Sequence, residues 1–222
     1  MRNIIAILYK DIIIELRTKE LLSAMFTFAI LLLVIFNFAF SLSTELIKFA
    51  APAILWVSFT FAGVLGLSRS FAIEKEGNSI MGLLLTPVDR SVLFFGKMIG
   101  NFIFVIIVEL IILPLFSLFF NFSFTDVLLP LLLVIILGTI GFVSVGTLFS
   151  AVALNTKLRE VLLPILLFPI VIPVIISSVK LTGSILEGDS ILFNDSALHI
   201  LISFDLIFIA ACAVTFEYVL EE

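Results

Sequence analysis

Long runs of apolar residues alternate with short polar segments along the chain. The six runs are 21–42, 49–68, 98–120, 127–154, 161–179 and 197–219. Each has about the 20 residues that a helix needs to cross the hydrocarbon core of a bilayer. None shows the alternation of apolar and polar positions that is typical of membrane β-strands. Because lipid offers no partner to backbone groups outside a helix, the pattern predicts an all-α membrane protein with six transmembrane helices.

Composition leads to the same fold class. Of the 222 residues, 62% are hydrophobic and 13% are charged, whereas soluble domains average roughly 45–50% and about 25%. A soluble fold could not cover so much apolar surface, which excludes a cytosolic enzyme, a nucleic-acid-binding protein and a disordered chain. No gap between the runs is long enough for a folded soluble domain. We therefore expect a single transmembrane domain over residues 1–222, with any energy source on another chain.

Basic residues are distributed unevenly around these runs. Ten of the twelve Lys and Arg residues lie in the N-terminal segment, between the second and third runs, or between the fourth and fifth. Only Lys48 and Lys180 lie on the other side. Positive charge marks the cytoplasmic side of membrane proteins. Both termini are therefore expected in the cytoplasm, with the protein in the plasma or inner membrane of the cell.

An amphipathic helix is predicted over residues 3–17, ahead of the first run. Its apolar face carries Ile5, Leu8, Tyr9, Ile12, Ile13 and Leu16, and the residues elsewhere include Lys10, Asp11, Glu15 and Arg17. A helix with this pattern lies in the interface of the bilayer. The alternative is a charged leader that only fixes the orientation of the chain.

The segment between the second and third runs, 69–97, is expected to face the cytoplasm. Asn78 or Ser79 can start a short helix there, and Pro87 ends it about two turns later. The apolar residues of this helix include Ile80, Leu83 and Leu84. Such a face is buried either by the membrane interface or by a groove on a partner protein. An interfacial helix without a partner remains the alternative.

Two features inside the runs are candidates for a transport pathway. Glu109 lies near the middle of the third run, where a carboxyl costs roughly 2.5–3.5 kcal/mol to insert. We expect it to be a protonated or hydrogen-bonded interior group, with a direct role toward substrate or protons as the alternative. Pro164, Pro169 and Pro173 each remove a backbone hydrogen bond from the fifth run. They predict a bent or broken helix packed inside the bundle, serving either as a hinge or pathway wall or only as a structural bend.

Other residues in the spans are assigned to structure. Gly138, Gly141 and Gly146 in the fourth run are expected to let helices approach closely. Asp205 is expected to reach toward the external interface. A lone histidine, His199, and a lone cysteine, Cys212, do not predict a metal, haem or disulfide site. The only Gly-Lys pair, Gly96-Lys97, lacks the spacing of a phosphate-binding loop, so this chain is not expected to bind ATP in that way.

Four motifs, in this order, carry a family resemblance. They are Ala51–Val57 followed by Leu67, Arg69 and Phe71; Leu83–Pro87 followed by Gly96-Lys97; Gly138-Thr139 with Gly141-Phe142; and Leu167–Pro173. Together they resemble the CcmB family, membrane permease subunits of the cytochrome c maturation ABC transporter, over residues 50–175. The acidic residues that many members carry before the leucines are absent, because this chain has Gly77–Met81 there.

The resemblance implies a six-span permease of the ABC exporter type that acts in cytochrome c biogenesis. Its implied partners are a cytoplasmic ABC ATPase, a second copy of itself and other cytochrome c maturation membrane proteins. It implies ATP on the ATPase, haem as cargo of the complex or of a chaperone that the complex releases, and no catalytic residue, cofactor or metal on this chain. The residues expected to couple to the ATPase are Arg69, Glu74, Glu76, Ser79, Ile80, Leu83, Leu84 and Pro87.

Three rival functions share parts of this pattern. An ABC permease for a lipid, a polysaccharide or a drug has the same architecture without the haem pathway. A membrane scaffold anchors the complex and moves nothing. An ion-coupled transporter built around Glu109 needs no ATPase.

Overall fold

The computed structural model describes residues 2–40, 44–76, 89–122, 124, 127–154, 156, 158–189 and 195–219. For residues 2, 44, 45, 71–76 and 159 it describes the backbone alone. Within these ranges every regular element is an α-helix. The helices are α1 Arg2–Thr18, α2 Glu20–Phe40, α3 Thr44–Glu76, α4 Arg90–Phe120, α5 Leu128–Ala153, α6 Arg159–Glu187 and α7 Ser196–Val219. The predicted all-α fold is confirmed.

Helices α2 to α7 are long and apolar enough to cross a membrane, and each contains most or all of one predicted run. Three of them extend well past their runs, because polar residues can continue a helix beyond the hydrocarbon. Helix α3 continues to Glu76, α4 begins at Arg90 rather than near residue 98, and α6 ends at Glu187 rather than near residue 179. Asp89 occupies the N-cap position of α4 but makes no side-chain capping hydrogen bond.

Contacts at the helix ends show that α2 and α4 run in one direction and α3 and α7 in the other. Arg69, late in α3, reaches Glu20 at the start of α2, and Arg90 at the start of α4 reaches Glu217 near the end of α7. Asn37 near the end of α2 donates to the carbonyl of Phe119 near the end of α4. We call the end that holds Arg69, Arg90 and Lys97 the charged end, and the end that holds Asn37 and Phe119 the opposite end.

Close helix contacts in the interior depend on glycine. The side chain of Trp56 lies over Gly138, that of Asp205 against Gly141, and that of Leu67 against Gly146. Each of these positions leaves no room for a further side-chain atom. The packing role predicted for the glycines of the fourth run is therefore confirmed. Helix α3 is the most enclosed span, with 72% of its apolar window buried compared with 22% for α2.

Helix α6 is unbroken through its three prolines, from Arg159 to Glu187. The side chains of Pro169 and Pro173 are exposed on the outside of the bundle, and that of Pro164 is half-buried. The helix is therefore not broken, as one form of the prediction had it, and a bend at the prolines stays a prediction. The rings of Pro169 and Pro173 occupy the outward face, so they do not line the interior of this chain.

Candidate functional site

The predicted coupling segment falls largely outside the described residues. Ser79, Ile80, Leu83, Leu84 and Pro87 all lie in the gap between residues 76 and 89. Glu74 and Glu76 belong to the last turns of α3, where only the backbone is described. Arg69 is the one member of this set whose side chain is described. The geometry of the site is therefore that of the two helices, α3 and α4, that enter and leave this segment.

Three basic side chains tie α3 and α4 to other helices at the charged end. Arg69 Nη2 of α3 lies 2.6 Å from Glu20 Oε2 of α2. Lys97 Nζ of α4 lies 2.8 Å from Asp11 Oδ2 of α1. Arg90 Nη1 of α4 donates to the carbonyl of Glu217 of α7 at 2.9 Å. The two helices that flank the segment thus hold the middle of α1, the start of α2 and the end of α7.

Helix α1 turns part of its polar face inward, which the sequence pattern did not predict. Asp11 and Glu15 are mostly buried, and Ile7 packs against Gly96 of α4. Ile5, Tyr9 and Leu16 of the predicted apolar stripe are about two-thirds exposed, as residues that contact lipid would be. The helix therefore binds the bundle through a face that includes Leu8, which lies against Gly100 of α4, and leaves part of its apolar stripe outward.

Glu15 also orders the start of the first span. Its carboxylate accepts hydrogen bonds from the backbone N–H groups of Leu22 at 2.9 Å and Leu21 at 3.4 Å. These are amides of the first turn of α2, which have no partner within the helix. Lys19, between the two helices, has the left-handed φ of 55° that lets the chain turn. A side chain of α1 thus replaces the usual N-cap residue of α2.

Glu109 lies in the interior, between α4 and α5. Its side chain is 3% exposed, and the Thr139 hydroxyl donates to its two oxygens at 2.8 and 3.0 Å. Beside it is a small cavity whose lining also includes Trp56, Thr60 and Phe142. The space open to the centre of a water molecule is about 10 Å³, close to the ~10–15 Å³ that one water needs. The site can hold a water or a proton, but not an organic substrate.

Trp56 links three spans next to this cavity. Its indole Nε1–H donates to the Thr182 hydroxyl of α6 at 2.9 Å, and both side chains are buried. Its ring lies on Gly138 of α5 and meets Phe59 edge-on, with the ring centroids 5.8 Å apart. The second predicted span is therefore fixed to the fourth and fifth spans through one aromatic side chain.

Asp205 does not reach the external interface, so that expectation is wrong. It is 6% exposed, and neither carboxyl oxygen has a hydrogen-bond partner among the described residues. Its Oδ1 instead lies against Gly141 of α5. The direction of the side chain could not be inferred from the sequence, because it depends on how α7 is rotated toward α5.

Because the Asp205 carboxyl is buried and has no hydrogen-bond partner in the described part of the chain, Asp205→Ala is expected to leave stability unchanged or to raise it by about 1–3 kcal/mol. The measurement is thermal unfolding in detergent, followed with a thiol-reactive dye on the single cysteine, Cys212, which is buried in the folded protein. Thr182→Val is the control that should destabilise, because it leaves the buried indole N–H of Trp56 unpaired. A clear loss of stability in Asp205→Ala would show that the carboxyl has a structural partner.

The remaining functional residues were not predicted from the sequence. Lys97 and Asn101 lie one turn apart on α4, and the Asn101 amide donates to the Thr147 hydroxyl of α5 at 3.1 Å. The sequence contained one indication of their role: they are two polar residues, four positions apart, at the start of an apolar run. Within the described part of the chain, no three His, Cys, Asp or Glu residues come together as metal ligands.

Comparison with known proteins adds a family match over nearly the whole chain. A family model described as CcmB protein matches residues 2–220. A heme exporter protein B from Pseudomonas aeruginosa is 27% identical over 172 residues, which cover 78% of this chain and 76% of that protein. One from Rhodobacter capsulatus is 25% identical over 183 residues, covering 82% and 84%. A third, from Bradyrhizobium diazoefficiens, is 23% identical over 188 residues, covering 85% and 84%.

Proposed function

The chain belongs to the CcmB family and is a membrane permease of the cytochrome c maturation ABC transporter, and we propose that it couples a separate ATPase subunit to movement of its spans. In this proposal ATP is bound and hydrolysed on that partner, and this chain contributes no catalytic residue. Haem is cargo of the complex, or of a chaperone that the complex releases, rather than a cofactor bound here. A second copy of this chain and other cytochrome c maturation membrane proteins complete the assembly.

One observation carries the coupling proposal. The three basic contacts at the charged end connect α3 and α4 to α1, α2 and α7, and these two helices also pack on α5 and α6. The pair that flanks segment 77–88 therefore touches every other described helix. A displacement applied to that segment would reach the whole bundle, whereas a displacement applied to α2 alone would not.

The mechanism that we propose is mechanical. ATP closes the partner dimer, and the apolar residues Leu83 and Leu84 move with the groove that holds them. The ATP-bound partner must bind one arrangement of the spans more tightly than the other, because a ligand shifts a conformational equilibrium only by its difference in affinity. The uneven distribution of basic residues supports placing the charged end and both termini in the cytoplasm, where the ATPase lies.

The proposal predicts that Leu84→Asp abolishes binding of the ATPase subunit. A carboxylate forced into an apolar groove is desolvated without a partner, so affinity should fall by at least about tenfold. The measurement is co-purification of the co-expressed ATPase with the tagged permease from detergent, with membrane insertion checked by fractionation.

Two control variants make this result specific. Leu84→Met keeps an apolar side chain of similar size and should retain the ATPase. Leu129→Asp places the same charge at an exposed leucine near the opposite end and should retain it too. Unchanged recovery of the ATPase with Leu84→Asp, or equal loss with Leu129→Asp, would contradict the coupling role of the segment.

A further inference from the structure

Polar side chains recur at regular intervals along the contact between α4 and α5. Asn101 bonds to Thr147, and Glu109 bonds to Thr139. Asn101 lies eight residues before Glu109 on α4, and Thr139 lies eight residues before Thr147 on α5. Both pairs therefore belong to one antiparallel register. We call this contact, from Lys97 to Glu109 on α4 and from Ser150 to Thr139 on α5, the polar seam.

The polar seam begins in a polar pocket at the charged end. Lys97 lies one turn before Asn101 and bonds to Asp11 of α1. Beside it is a cavity lined in part by Glu15, Ser70 and Phe104, with about 20 Å³ open to the centre of a water molecule. That is space for about one water. The cavity has room for an internal water, and its polar lining residues can serve as the partners of that water.

Ser150, at the same end of the polar seam, has a hydroxyl that lacks a hydrogen-bond partner among the described residues. It follows Thr147 by three residues, so the two side chains share one face of α5. Its hydroxyl is buried and has no partner among the described residues. Buried hydroxyls without a protein partner are sites where an internal water is expected.

One apolar step separates the Asn101–Thr147 pair from Glu109. Val105 and Val143 occupy the register position midway between the two polar pairs, and both are buried. Asn101, one turn after Lys97 of the pocket, precedes Glu109 by eight residues, a rise of about 12 Å along a helix. A short file of waters can bridge this distance when the valines move apart.

We infer that Glu109 is a proton-binding site that exchanges its proton with the charged end along the polar seam, across the single apolar step at Val105 and Val143. The inference goes beyond coupling to an ATPase, which does not require it. Waters held by the polar side chains carry the proton between the pocket and the carboxyl. The ligand of the site is a proton and not a larger cation or an organic molecule.

The cavity beside Glu109 supports this choice of ligand. Apart from Glu109 its oxygen-bearing side chains are Thr60 and Thr139, and the Thr60 hydroxyl already donates to the carbonyl of Trp56. A metal cation takes about six oxygen ligands, which this cavity does not offer. A proton needs one acceptor, and the Glu109 carboxyl provides it.

No other charged residue lines this cavity within the described part of the chain. The charged groups on α4 and on the helices around α4 and α5 lie elsewhere. They include Asp11, Glu15, Glu20, Arg69, Arg90, Lys97, Glu160 and Glu217 toward the charged end, Lys48, Lys180 and Glu187 toward the opposite end, and Asp205 of α7. Asp205 contacts α5 at Gly141, two residues from Thr139 and therefore on the other side of the helix. Proton binding at Glu109 is thus set mainly by its local environment.

The test is infrared spectroscopy of the protein in lipid nanodiscs during transfer from H₂O to D₂O. A protonated buried carboxyl gives a C=O band that shifts when its proton is exchanged, and Glu109→Gln should remove that band. Val105→Thr adds a hydroxyl at nearly constant size, and that hydroxyl can bond to its own helix. Val105→Thr should speed the exchange of the Glu109 proton by about tenfold, and Asn101→Leu should slow it by about tenfold. One hydrogen bond gained or lost along the route changes a rate by about this factor.

Two matched variants separate the route from general loosening of the fold. Val134→Thr makes the same change on α5 beyond Thr139, toward the opposite end. Asn37→Leu removes an amide that is hydrogen-bonded at the opposite end. Both should leave the exchange rate of the Glu109 band unchanged. The inference is overturned if Glu109→Gln removes no band, if Val105→Thr and Asn101→Leu leave the rate unaltered, or if the two controls alter it equally. None of these outcomes depends on whether the ATPase binds.

Discussion

Gly138→Ala is expected to destabilise the protein by about 3 kcal/mol, although alanine favours a helix more than glycine does. A Cβ atom at this position would lie 2.3 Å from Cη2 of Trp56 and 2.7 Å from the Ser178 hydroxyl oxygen. The indole cannot retreat without breaking its hydrogen bond to Thr182, which adds about 1 kcal/mol to the cost of overpacking. The contact between α3, α5 and α6 should therefore loosen as a unit.

The matched control is Gly183→Ala, in the same region of the bundle. The nearest atom to a Cβ at that position is Cγ of Pro52, at 3.7 Å, which is an ordinary contact. Removal of a glycine from a helix should then be neutral or stabilising by up to about 1 kcal/mol. Thermal unfolding, followed by labelling of Cys212, measures both variants, and equal melting temperatures would contradict the packing argument. In Gly138→Ala the fluorescence of Trp56, the single tryptophan, should also change.

Hydropathy was sufficient to predict the six spans, because a bilayer requires about 20 apolar residues from any helix that crosses it. It could not give the full length of the helices. Helix α3 continues through charged residues to Glu76, and α4 starts eight residues before its predicted run. In the interface, water and headgroups satisfy charged side chains, so a helix persists where the apolar signal has stopped.

The orientation of side chains inside the bundle was less accessible to sequence reasoning. Glu109 was expected in the interior because a carboxyl at that depth must avoid lipid. The same argument applies to Asp205, whose position near a span end allowed a wrong assignment to the interface. The rotation of α7 brings Asp205 to Gly141 and so places this carboxyl in the interior and not at the interface. Hydropathy does not give that rotation. A glycine indicates that something packs closely there, but it does not identify the neighbour.

Helix α1 shows a second limit of the hydrophobic pattern. Tyr9 of its apolar stripe is exposed, whereas Leu8 of the same stripe lies against Gly100 of α4. A helix in the interface turns its polar side to water, yet Asp11 and Glu15 are buried against α4 and α2. Pattern alone cannot distinguish a polar face that meets water from one that meets a buried lysine and free backbone amides.

The buried ion pair between Lys97 and Asp11 carries the second large prediction. Lys97→Met is expected to destabilise the packing of α1 on α4 by about 3 kcal/mol, because it leaves the Asp11 carboxyl without its buried partner. Lys97 is 2% exposed and Asp11 is 10% exposed. Lys10 stays 3.2 Å from the other Asp11 oxygen. Because this lysine still pairs with the carboxylate, we expect a loss of stability at the low end of the range for broken buried ion pairs. Chemical unfolding in detergent and protease cleavage of α1 measure the loss.

The stability of Lys97→Met is compared with that of a double variant and with that of a variant that lacks an exposed ion pair. Lys97→Met combined with Asp11→Leu should recover most of the lost stability, because replacing both partners of a buried pair with apolar side chains is often neutral or favourable. Arg69→Met removes the ion pair with Glu20 at the charged end, whose partners are about half exposed, and should cost no more than about 1 kcal/mol. If Arg69→Met costs as much as Lys97→Met, burial does not determine the strength of these contacts. In that case α1 is held by its apolar contacts, such as Ile7 on Gly96, and not by its acidic residues.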